Sequence, residues 1–358
     1  MDTLIITQDR YYKLTRTIGI QTLPRTLLKI LLYFPDLSIE KLYYNGNIAV
    51  YSHDYKITKH YRNIIIFHRS ITRRKNRKEI LQQLKRKSDN LIFFDIGDIT
   101  GGIQNYALKI CDQYWTKQIY KNKEEYNKGY QKYSKYLDVF SEKGKQSTKI
   151  SDEDLEKIKT AWNIAMSDHY LYSNNKEKIL RRLNLTQLNY PAFKNPETNR
   201  RYDINTRLRT TYPRKFVEKH RKLSLKTLSD RFNTTPSNII NKEEYMKELE
   251  NSKIVLSPFG NGEICYRDFE AIINGATLIK PNMSHIKTWP DIYKPGKTYV
   301  SVKWDFSNLN EQIEDLLNNP VKRKRIAKNA QEAYKPYYGE QGIEKLKQRF
   351  STLLGGIQ

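Results

Sequence analysis

The chain has 358 residues, which is enough for two domains of ordinary size, and its 38% apolar content excludes a disordered protein. Its two cysteines, Cys111 and Cys265, are too few for a disulfide framework and lack metal-ligand spacing, which predicts a reducing compartment. The formal net charge of +25 is dispersed along the chain. This charge results from a coding bias, or it serves to attract anionic lipid, a phosphorylated substrate or nucleic acid.

The N-terminus has no basic segment followed by an apolar stretch, so no secretory signal is expected. The most apolar run, residues 27–34, is interrupted by Lys29 and is too short to cross a bilayer. We therefore expect a cytoplasmic protein, with peripheral contact at the inner face of the membrane as a further expectation.

The first half alternates short β-rich runs with helical patterns, which is typical of βαβ units. Predicted strands cover residues 4–7, 39–44, 48–51, 63–67 and 90–95, with a turn at Asn45-Gly46-Asn47; predicted helices cover residues 23–33, 75–87 and 106–140. Ser151 is predicted to cap a further helix that ends near residue 158. The irregular residues 170–200 are the best candidate for a connection between domains.

The second half repeats the α/β pattern. Predicted strands cover residues 202–209, 254–256, 276–279 and 298–302, and predicted helices cover residues 213–228, 243–251, 263–274 and 309–335. Two successive α/β halves indicate a pair of doubly wound domains. The boundaries we predict are 1–170, a connection at 171–200, 201–335, and a C-terminal helix at 336–358 that packs back on the first domain.

One glycine-containing loop carries the chemical prediction. The predicted strand 254–256 leads into Ser257-Pro-Phe-Gly-Asn-Gly, and a helix follows. Gly260 and Gly262 allow a ligand to approach the backbone closely, and the free N–H groups and positive end of the helix suit a phosphate. A Gly-x-Gly loop alone is a weak pattern, and the three-glycine dinucleotide motif is absent.

The helix after this loop is predicted to have a polar face. Glu263, Arg267, Glu270 and Asn274 recur at helical spacing and so share one side. Because ligands bind at the carboxyl edge of open α/β sheets, we expect this face to line a cleft. The alternative is a solvated face with an ordinary Glu–Arg pair.

Four stretches of the chain resemble bacterial glycosyltransferases from surface-polysaccharide gene clusters. They are residues 257–271 (Ser-Pro-Phe-Gly-Asn-Gly-Glu-Ile-Cys-Tyr-Arg-Asp-Phe-Glu-Ala), 278–293, 94–104, and the Trp-Asn-Ile at 162–164. The resemblance implies an α/β protein of the GT-B fold, in which two Rossmann-like, doubly wound domains face a cleft between them. It places the acceptor on the N-terminal side and the activated sugar on the C-terminal side.

The resemblance also implies roles for two glutamates. Retaining GT-B enzymes commonly carry a Glu-x7-Glu pair here, whereas Glu263 and Glu270 are separated by six residues. Glu270 matches the glutamate that holds the donor ribose, and Gly262 and Glu263 are expected to offer backbone amides to the donor. The departure in spacing leaves a retaining or an inverting mechanism open.

Three further side chains are candidates for the donor side. Arg214 opens a helix where GT-B enzymes place a phosphate-binding cation, and Lys280 and His285 follow the next strand, where a cation stabilises a departing diphosphate. The alternatives are surface side chains and a structural histidine. The predicted donor-binding set is Arg214, Ser257, Gly260, Asn261, Gly262, Glu263, Arg267, Glu270 and Lys280.

On the N-terminal side, Asp95 and Asp98 follow a predicted buried strand, and one of them is a candidate base for the acceptor hydroxyl. A turn or N-cap role is the alternative, and His68 is a further candidate base. Trp162 and Asn163 line the acceptor cleft or belong to the core. The predicted catalytic set is Asp95, Asp98, Glu263 and His285.

The sequence thus predicts transfer of a sugar from a nucleotide- or pyrophosphate-linked donor to a glycan or lipid-linked acceptor hydroxyl. We expect no cofactor and no essential metal, because the Asp152-Glu153-Asp154 triplet fits the first turn of a helix. The alternatives are phosphoribosyl pyrophosphate as donor, a noncatalytic sugar-nucleotide binding module, and a basic nucleic-acid-binding protein.

Overall fold

The computed structural model describes residues 3–6, 60–71, 75–128, 150–166, 190–236 and 240–355. Two parallel sheets organise this part of the chain. The first has the order β1-β2-β3-β4-β6, with β1 Thr3–Ile6, β2 Tyr61–Phe67, β3 Ser88–Asp95, β4 Gln113–Thr116 and β6 Ile158–Thr160. Its helices are α1 His68–Ile71, α2 Arg77–Lys85, α3 Asn105–Leu108 and α4 Asp152–Glu156.

The central strands β2 and β3 are buried on both faces, which explains their continuous apolar sequence. Ile65 pairs in register with Ile92, and both side chains point into one core cluster. Their neighbours Ile64 and Leu91 point into the cluster on the opposite face. Both strands were predicted from their apolar runs, and both predictions are confirmed.

The second sheet has the order β11-β9-β8-β7 and is also parallel. Its strands are β7 Tyr202–Asn205, β8 Ser252–Leu256, β9 Thr277–Pro281 and β11 Val300–Val302. Its helices are α5 Lys215–Thr227, α6 Lys242–Glu250, α7 Tyr266–Ile273, α8 Leu309–Asn318 and α9 Pro320–Tyr334. The described strands of each sheet follow one another in a single direction along the sheet.

A two-stranded antiparallel ladder joins the halves, formed by β5 Gln118–Tyr120 and β10 Ile286–Thr288. The C-terminal helix α10, Gly339–Gly355, returns to the first sheet. There Phe350 packs edge-on against Trp115 and Trp162, with ring centroids 6.1 and 6.3 Å away.

The carboxyl ends of the two sheets meet. A Cβ built on Gly262, in the loop after β8, would lie 1.6 Å from the carbonyl oxygen of Asp98, in the loop after β3. Two helix-flanked parallel sheets whose carboxyl ends face each other form the GT-B arrangement. The predicted α/β fold class is therefore confirmed.

One large element was predicted wrongly. Residues 106–128 do not form a long helix, because the chain leaves α3 at Leu108 and continues into β4 and β5. Tyr114 and Trp115 point to opposite faces of the sheet and fill both cores, which a helix could not achieve.

Three helix or strand ends also differ. The predicted helix 309–335 is two helices, because Pro320 cannot donate to the preceding turn and instead begins α9. Helix α7 begins at Tyr266 rather than at residue 263, and β7 ends at Asn205 rather than at residue 209.

The predicted elements at residues 23–33, 39–44 and 48–51 lie outside the described residues. In the part of the chain that is described, every helix falls short of the length and apolarity that crossing a membrane requires.

Candidate active site

The loop between β8 and α7 presents unpaired backbone donors. Within the described residues, the amide groups of Asn261, Gly262, Glu263 and Ile264 donate to no protein acceptor, and the next amide, that of Cys265, donates to Asp268 at 3.0 Å. Unpaired buried donors are costly, and consecutive amides of this kind are typical of anion sites. The loop therefore suits a phosphate group.

Arginines surround this loop. Arg214 donates to the carbonyl oxygen of Asn261 at 3.3 Å, and an Nη of Arg221 lies 3.6 Å from where a Cβ on Gly260 would be. Arg221 also donates to the carbonyl oxygen of Arg209 at 2.9 Å. Arg267 completes the set, which we call the arginine cluster: Arg209, Arg214, Arg221 and Arg267.

The arginine cluster carries uncompensated positive charge. Burial lowers the pKa of Arg221, and the charges of Arg267 and Arg209 lower it further. Within the described residues, none of the four guanidinium groups forms an ion pair with a carboxylate. Cations without counter-charges beside free amides are the electrostatic complement of a diphosphate.

Two predicted donor-binding residues are used in the core instead. Asp268 is fully buried and accepts hydrogen bonds from Ser257 Oγ at 2.6 Å and Tyr293 Oη at 2.7 Å, while Lys280 Nζ lies 3.2 Å from the same carboxylate. Ser257 and Lys280 have no exposed surface. Contrary to the prediction, their polar atoms are consumed by Asp268, and neither can reach a ligand.

The prediction that the polar side chains of the helix after the loop line a cleft is also wrong. Glu263 precedes α7 and is fully buried, while Glu270 and Asn274 are 6% and 3% exposed. Glu270 pairs with Lys242 and accepts a hydrogen bond from Tyr245 Oη at 3.0 Å. Both its oxygens are thus occupied, so a ribose would have to compete with these partners.

Arg267 lies at the carboxyl end of β7. It donates to Asn205 Oδ1 at 3.2 Å and to the carbonyl oxygen of Arg207. The Nδ2 group of Asn205 is buried without a partner in the described structure. This polar corner borders the arginine cluster and was not predicted beyond Arg267.

Glu263 bridges the two halves. Its Oε2 accepts hydrogen bonds from the amide of Thr100 at 3.1 Å and from Gln118 Nε2 at 3.0 Å. Its Oε1 lies 3.6 Å from His285 Nε2. The structure thus brings together two of the predicted catalytic residues, Glu263 and His285, at the contact between the sheets.

Asp95 and His68 form a pair at the carboxyl edge of the first sheet. His68 Nδ1 lies 2.7 Å from Asp95 Oδ1, and the same carboxylate accepts from Tyr114 Oη and from the amide of Gly97 at 2.8 Å. Burial raises the pKa of Asp95, but the charge and hydrogen bond of His68 and the bonds from Tyr114 and Gly97 outweigh it and hold the pKa below its usual value.

The ionised state of Asp95 fixes the tautomer of His68. A carboxylate only accepts hydrogen bonds, so the proton of the neutral imidazole is on Nδ1 and Nε2 is the basic nitrogen. By contrast, Asp98 is paired with Lys117 at 2.5 Å, and Lys117 is nearly fully buried. This ion pair corrects the prediction that Asp98 is a candidate base.

Three other predicted residues have structural roles. Trp162 is fully buried in the core of the first sheet, and Asn163 donates to Thr288 Oγ1 at 2.9 Å and to the carbonyl oxygen of Pro290 at 3.0 Å. Ser151 caps α4 by accepting from the amide of Asp154 at 3.2 Å. The acidic triplet that follows lies in the first turn of α4, as predicted.

Residues 200–341 match a family model described as glycosyl transferase-like, which covers α5 to α9 and the loop with the free amides. The chain carries a glycosyltransferase-like domain. The prediction of an enzyme of this type is thereby confirmed. No protein of curated function matches the chain at a significant level.

Solved structures with weak similarity include HepE from Anabaena in complex with UDP-glucose, at 11% identity and a TM-score of 0.41, covering 83% of this chain and 79% of that one. A glycosyltransferase from Rickettsia africae has 12% identity and a TM-score of 0.41, with 82% and 77% covered. The UDP-GlcNAc 2-epimerase from Neisseria meningitidis bound to UDP-GlcNAc has 11% identity and a TM-score of 0.39, with 99% of both chains covered.

Sequence reasoning missed Arg221 in the glycosyltransferase-like domain. Arg221 lies seven positions after Arg214, so the two side chains share one face of α5. That spacing was a usable signal, since Arg214 was already a candidate. The buried partner Asp268 gave no comparable signal, because its role depends on contacts with Lys280 and Tyr293.

His220, which packs beneath the loop of this domain, gives a testable pH dependence. Its ring stacks on Phe259 with centroids 5.3 Å apart, and its Nε2 donates to the carbonyl oxygen of Trp304 at 3.0 Å. Burial lowers its pKa from 6.5 to about 4, and the nearby charges of Lys280 and Arg221 act in the same direction. The folded protein therefore keeps His220 neutral where the unfolded chain takes up a proton.

We expect His220 to make the domain lose stability as pH falls from about 6.5 to about 4. The full loss is about 3 kcal/mol, because one pKa unit corresponds to about 1.4 kcal/mol. Urea unfolding between pH 7 and pH 4 should show a shallower dependence for His220→Gln than for the wild type. His60→Gln, at an exposed site, is the control, and equal slopes for His220→Gln and the wild type would contradict the assignment.

Proposed function

We propose that the chain transfers a glycosyl group from a diphosphate-linked donor to a hydroxyl acceptor. The observation that carries the proposal is that the loop with the free amides and the His68–Asp95 pair lie close together, where the carboxyl ends of the two sheets meet. Asp95 is three residues before Asp98, which contacts Gly262. Three peptide units span at most about 11 Å, so the His68–Asp95 pair lies within a substrate's length of the loop amides.

The proposed leaving group is the diphosphate. When the bond between the anomeric carbon and the phosphate oxygen breaks, the electron pair and negative charge move to that oxygen. The amides of residues 261–264 and the arginine cluster are positioned to stabilise this charge. Preorganised donors act most strongly on charge that develops in the transition state. We propose that these groups do so without a divalent metal.

The proposed base is His68. Its Nε2 takes the proton of the acceptor hydroxyl as the oxygen attacks the anomeric carbon, and Asp95 stabilises the imidazolium that results. Asp95 acts through His68 and is therefore a positioning residue. With this base in the first half and the anion site in the loop after β8, we propose a single displacement with inversion.

We further propose a glycan or lipid-linked acceptor, as in the synthesis of surface polysaccharide. The net charge of +25 supports an anionic acceptor or a site beside anionic lipid at the inner face of the membrane. Arg77, which stacks on the ring of Tyr106 at 4.4 Å, supplies a further positive charge in the first half.

A donor panel tests the proposal. Nucleoside diphosphate sugars, lipid-diphosphate sugars and phosphoribosyl pyrophosphate would be screened by thermal shift, and each binder assayed for release of its diphosphate with acceptor glycans. Arg221→Gln should raise the donor Kd about 10- to 100-fold, since hydrogen bonds to charged groups contribute about 1.5–3 kcal/mol.

Arg325→Gln, which removes an exposed arginine of α9, is the matched control and should leave the Kd unchanged. Conversion of the bound donor to an isomer, with no sugar transferred, would contradict the proposed reaction. If the wild type and Arg221→Gln bind the donor with equal affinity, the donor site is assigned wrongly. Whether sugar transfer occurs is measured separately, by product formation.

A further inference from the structure

A basic cavity lies at the opposite edge of the second sheet from the loop with the free amides. Its volume is about 360 Å³, and it opens between the amino ends of β8 and β9 and the first turn of α9. Lys253 on β8 lines it, four residues before the loop begins at Ser257. At about 3.3 Å per residue this places the cavity about 13 Å from the loop.

The cavity wall is strongly positive. Arg200, Lys253, Arg323 and Lys324 line it, and no acidic side chain does. Two carboxylates compensate part of this charge from outside the lining: Asp203 pairs with Lys253 at 2.7 Å, and Glu197 pairs with Lys324 at 3.0 Å. Among the described residues Arg200 and Arg323 form no ion pair within 4 Å, and the charges of Glu250 and Asp203 act on them from a greater distance.

Both arginines line the cavity, and the charge of Arg323 acts on Arg200. Burial lowers the pKa of Arg200 to about 10, and the charge of Arg323 contributes to that shift. Burial also lowers the pKa of Arg323. The two Nη groups of Arg200 donate to carbonyl oxygens, including those of Glu250 at 2.7 Å and Asn274 at 2.9 Å. Its Nε is buried and has no partner in the described structure.

The adjoining helix strengthens the positive potential. Helix α9 has 15 residues and no acidic side chain in its first turn, and the side chain of its N-cap Asn319 accepts from the amide of Lys322. The positive end of the helix dipole therefore adds to the arginine charges. Three small residues, Gly275, Thr277 and Ala327, also line the cavity.

We propose that this cavity binds a phosphate-bearing small molecule, with the phosphate between Arg200 and Arg323. An anion there offsets the positive charge of the two guanidinium groups that line the cavity. The volume exceeds that of a phosphate alone and accommodates a sugar-sized group attached to it. The site is separate from the proposed donor site and does not depend on it.

Binding of inorganic phosphate to the full chain tests the proposal, measured by thermal shift at constant ionic strength with chloride as the balancing anion. The double variant Lys253→Gln/Lys324→Gln removes two positive charges from the cavity wall. The matched control, Arg325→Gln/Lys328→Gln, removes two exposed charges of α9. We expect the first pair to raise the phosphate Kd at least fivefold and the control less than twofold. Arg221→Gln should leave this binding in place.

Glucose 1-phosphate and vesicles containing phosphatidate, titrated in the same way, identify whether the phosphate comes from a soluble ester or a lipid headgroup. A tungstate-soaked crystal provides a readout independent of stability, with anomalous density expected between Arg200 and Arg323. The proposal is overturned if no phosphate compound binds saturably, if both double variants lose affinity equally, or if tungstate occupies only the arginine cluster near Gly260.

Discussion

Replacing His68 by glutamine is expected to lower kcat for sugar transfer about 10²- to 10⁴-fold while leaving the donor Kd unchanged. General bases contribute rate enhancements of this size, and His68 contacts none of the arginines that we assign to the donor. Glutamine can still donate to Asp95, so folding should be retained. Initial rates with the donor found in the panel, together with thermal unfolding of both proteins, check the result.

The chain supplies a matched control for this substitution. His60 and Asp89 form the same pair at 2.7 Å near the opposite end of the same strands, but their side chains are 55% and 67% exposed. His60→Gln should therefore keep full activity. Asp95→Asn should lower kcat without raising the KM for the donor. Wild-type kcat in His68→Gln would remove His68 from the mechanism.

This candidate base illustrates what the sequence could and could not provide. The sequence placed Asp95 at the end of a buried strand and His68 at the end of the preceding one, and adjacent parallel strands brought them together. It could not distinguish Asp95 from Asp98, because the distinction depends on Lys117. That lysine belongs to a segment for which a helix was predicted, whereas it lies at the bend between β4 and β5, where its side chain reaches Asp98.

On the donor side, too, the sequence predicted the local structure but not the contacts of the side chains. The loop itself was predictable, because a strand, two glycines and a helix follow one another locally. The partner of each polar side chain was not, because Ser257 and Lys280 were expected to face a cleft and instead surround Asp268. A charged residue at the carboxyl edge of a sheet is often a ligand contact, but full burial beside an opposite charge makes it part of the core.

The helix predicted at residues 106–140 is wrong over the described residues 106–128 for a physical reason. Tyrosine-rich segments fit a strand or the apolar face of a helix, and the outcome depends on which long-range partner is available. Here β4 pairs with β3, and β5 pairs with β10, more than 160 residues away in the chain. Strands β2, β3, β8 and β9 were predictable because parallel central strands are apolar along their whole length.

A substitution at Gly262, where the two halves touch, is expected to have the second large effect. Replacing Gly262 by alanine should destabilise the protein by about 3 kcal/mol or more and lower transfer activity. The new Cβ would lie 1.6 Å from the carbonyl oxygen and 2.3 Å from the carbonyl carbon of Asp98, and backbone cannot move aside as a flexible side chain does. The two loops must therefore separate.

Separation has further consequences for Glu263, the next residue. Its hydrogen bonds to the Thr100 amide and Gln118 Nε2 join the halves, and losing them leaves a buried carboxylate without compensation. Chemical denaturation measures the loss of stability, and initial rates measure the loss of activity.

Gly260→Ala separates the clash at Gly262 from a general effect of alanine in the loop. A Cβ at Gly260 would meet Cys265 Sγ at 3.3 Å and an Nη of Arg221 at 3.6 Å, both on side chains that can shift. We therefore expect less than 1.5 kcal/mol of destabilisation from Gly260→Ala. If the two alanine variants unfold at the same denaturant concentration, the loops do not touch as the structure places them. The base and the anion site would then lie too far apart for one substrate to reach both.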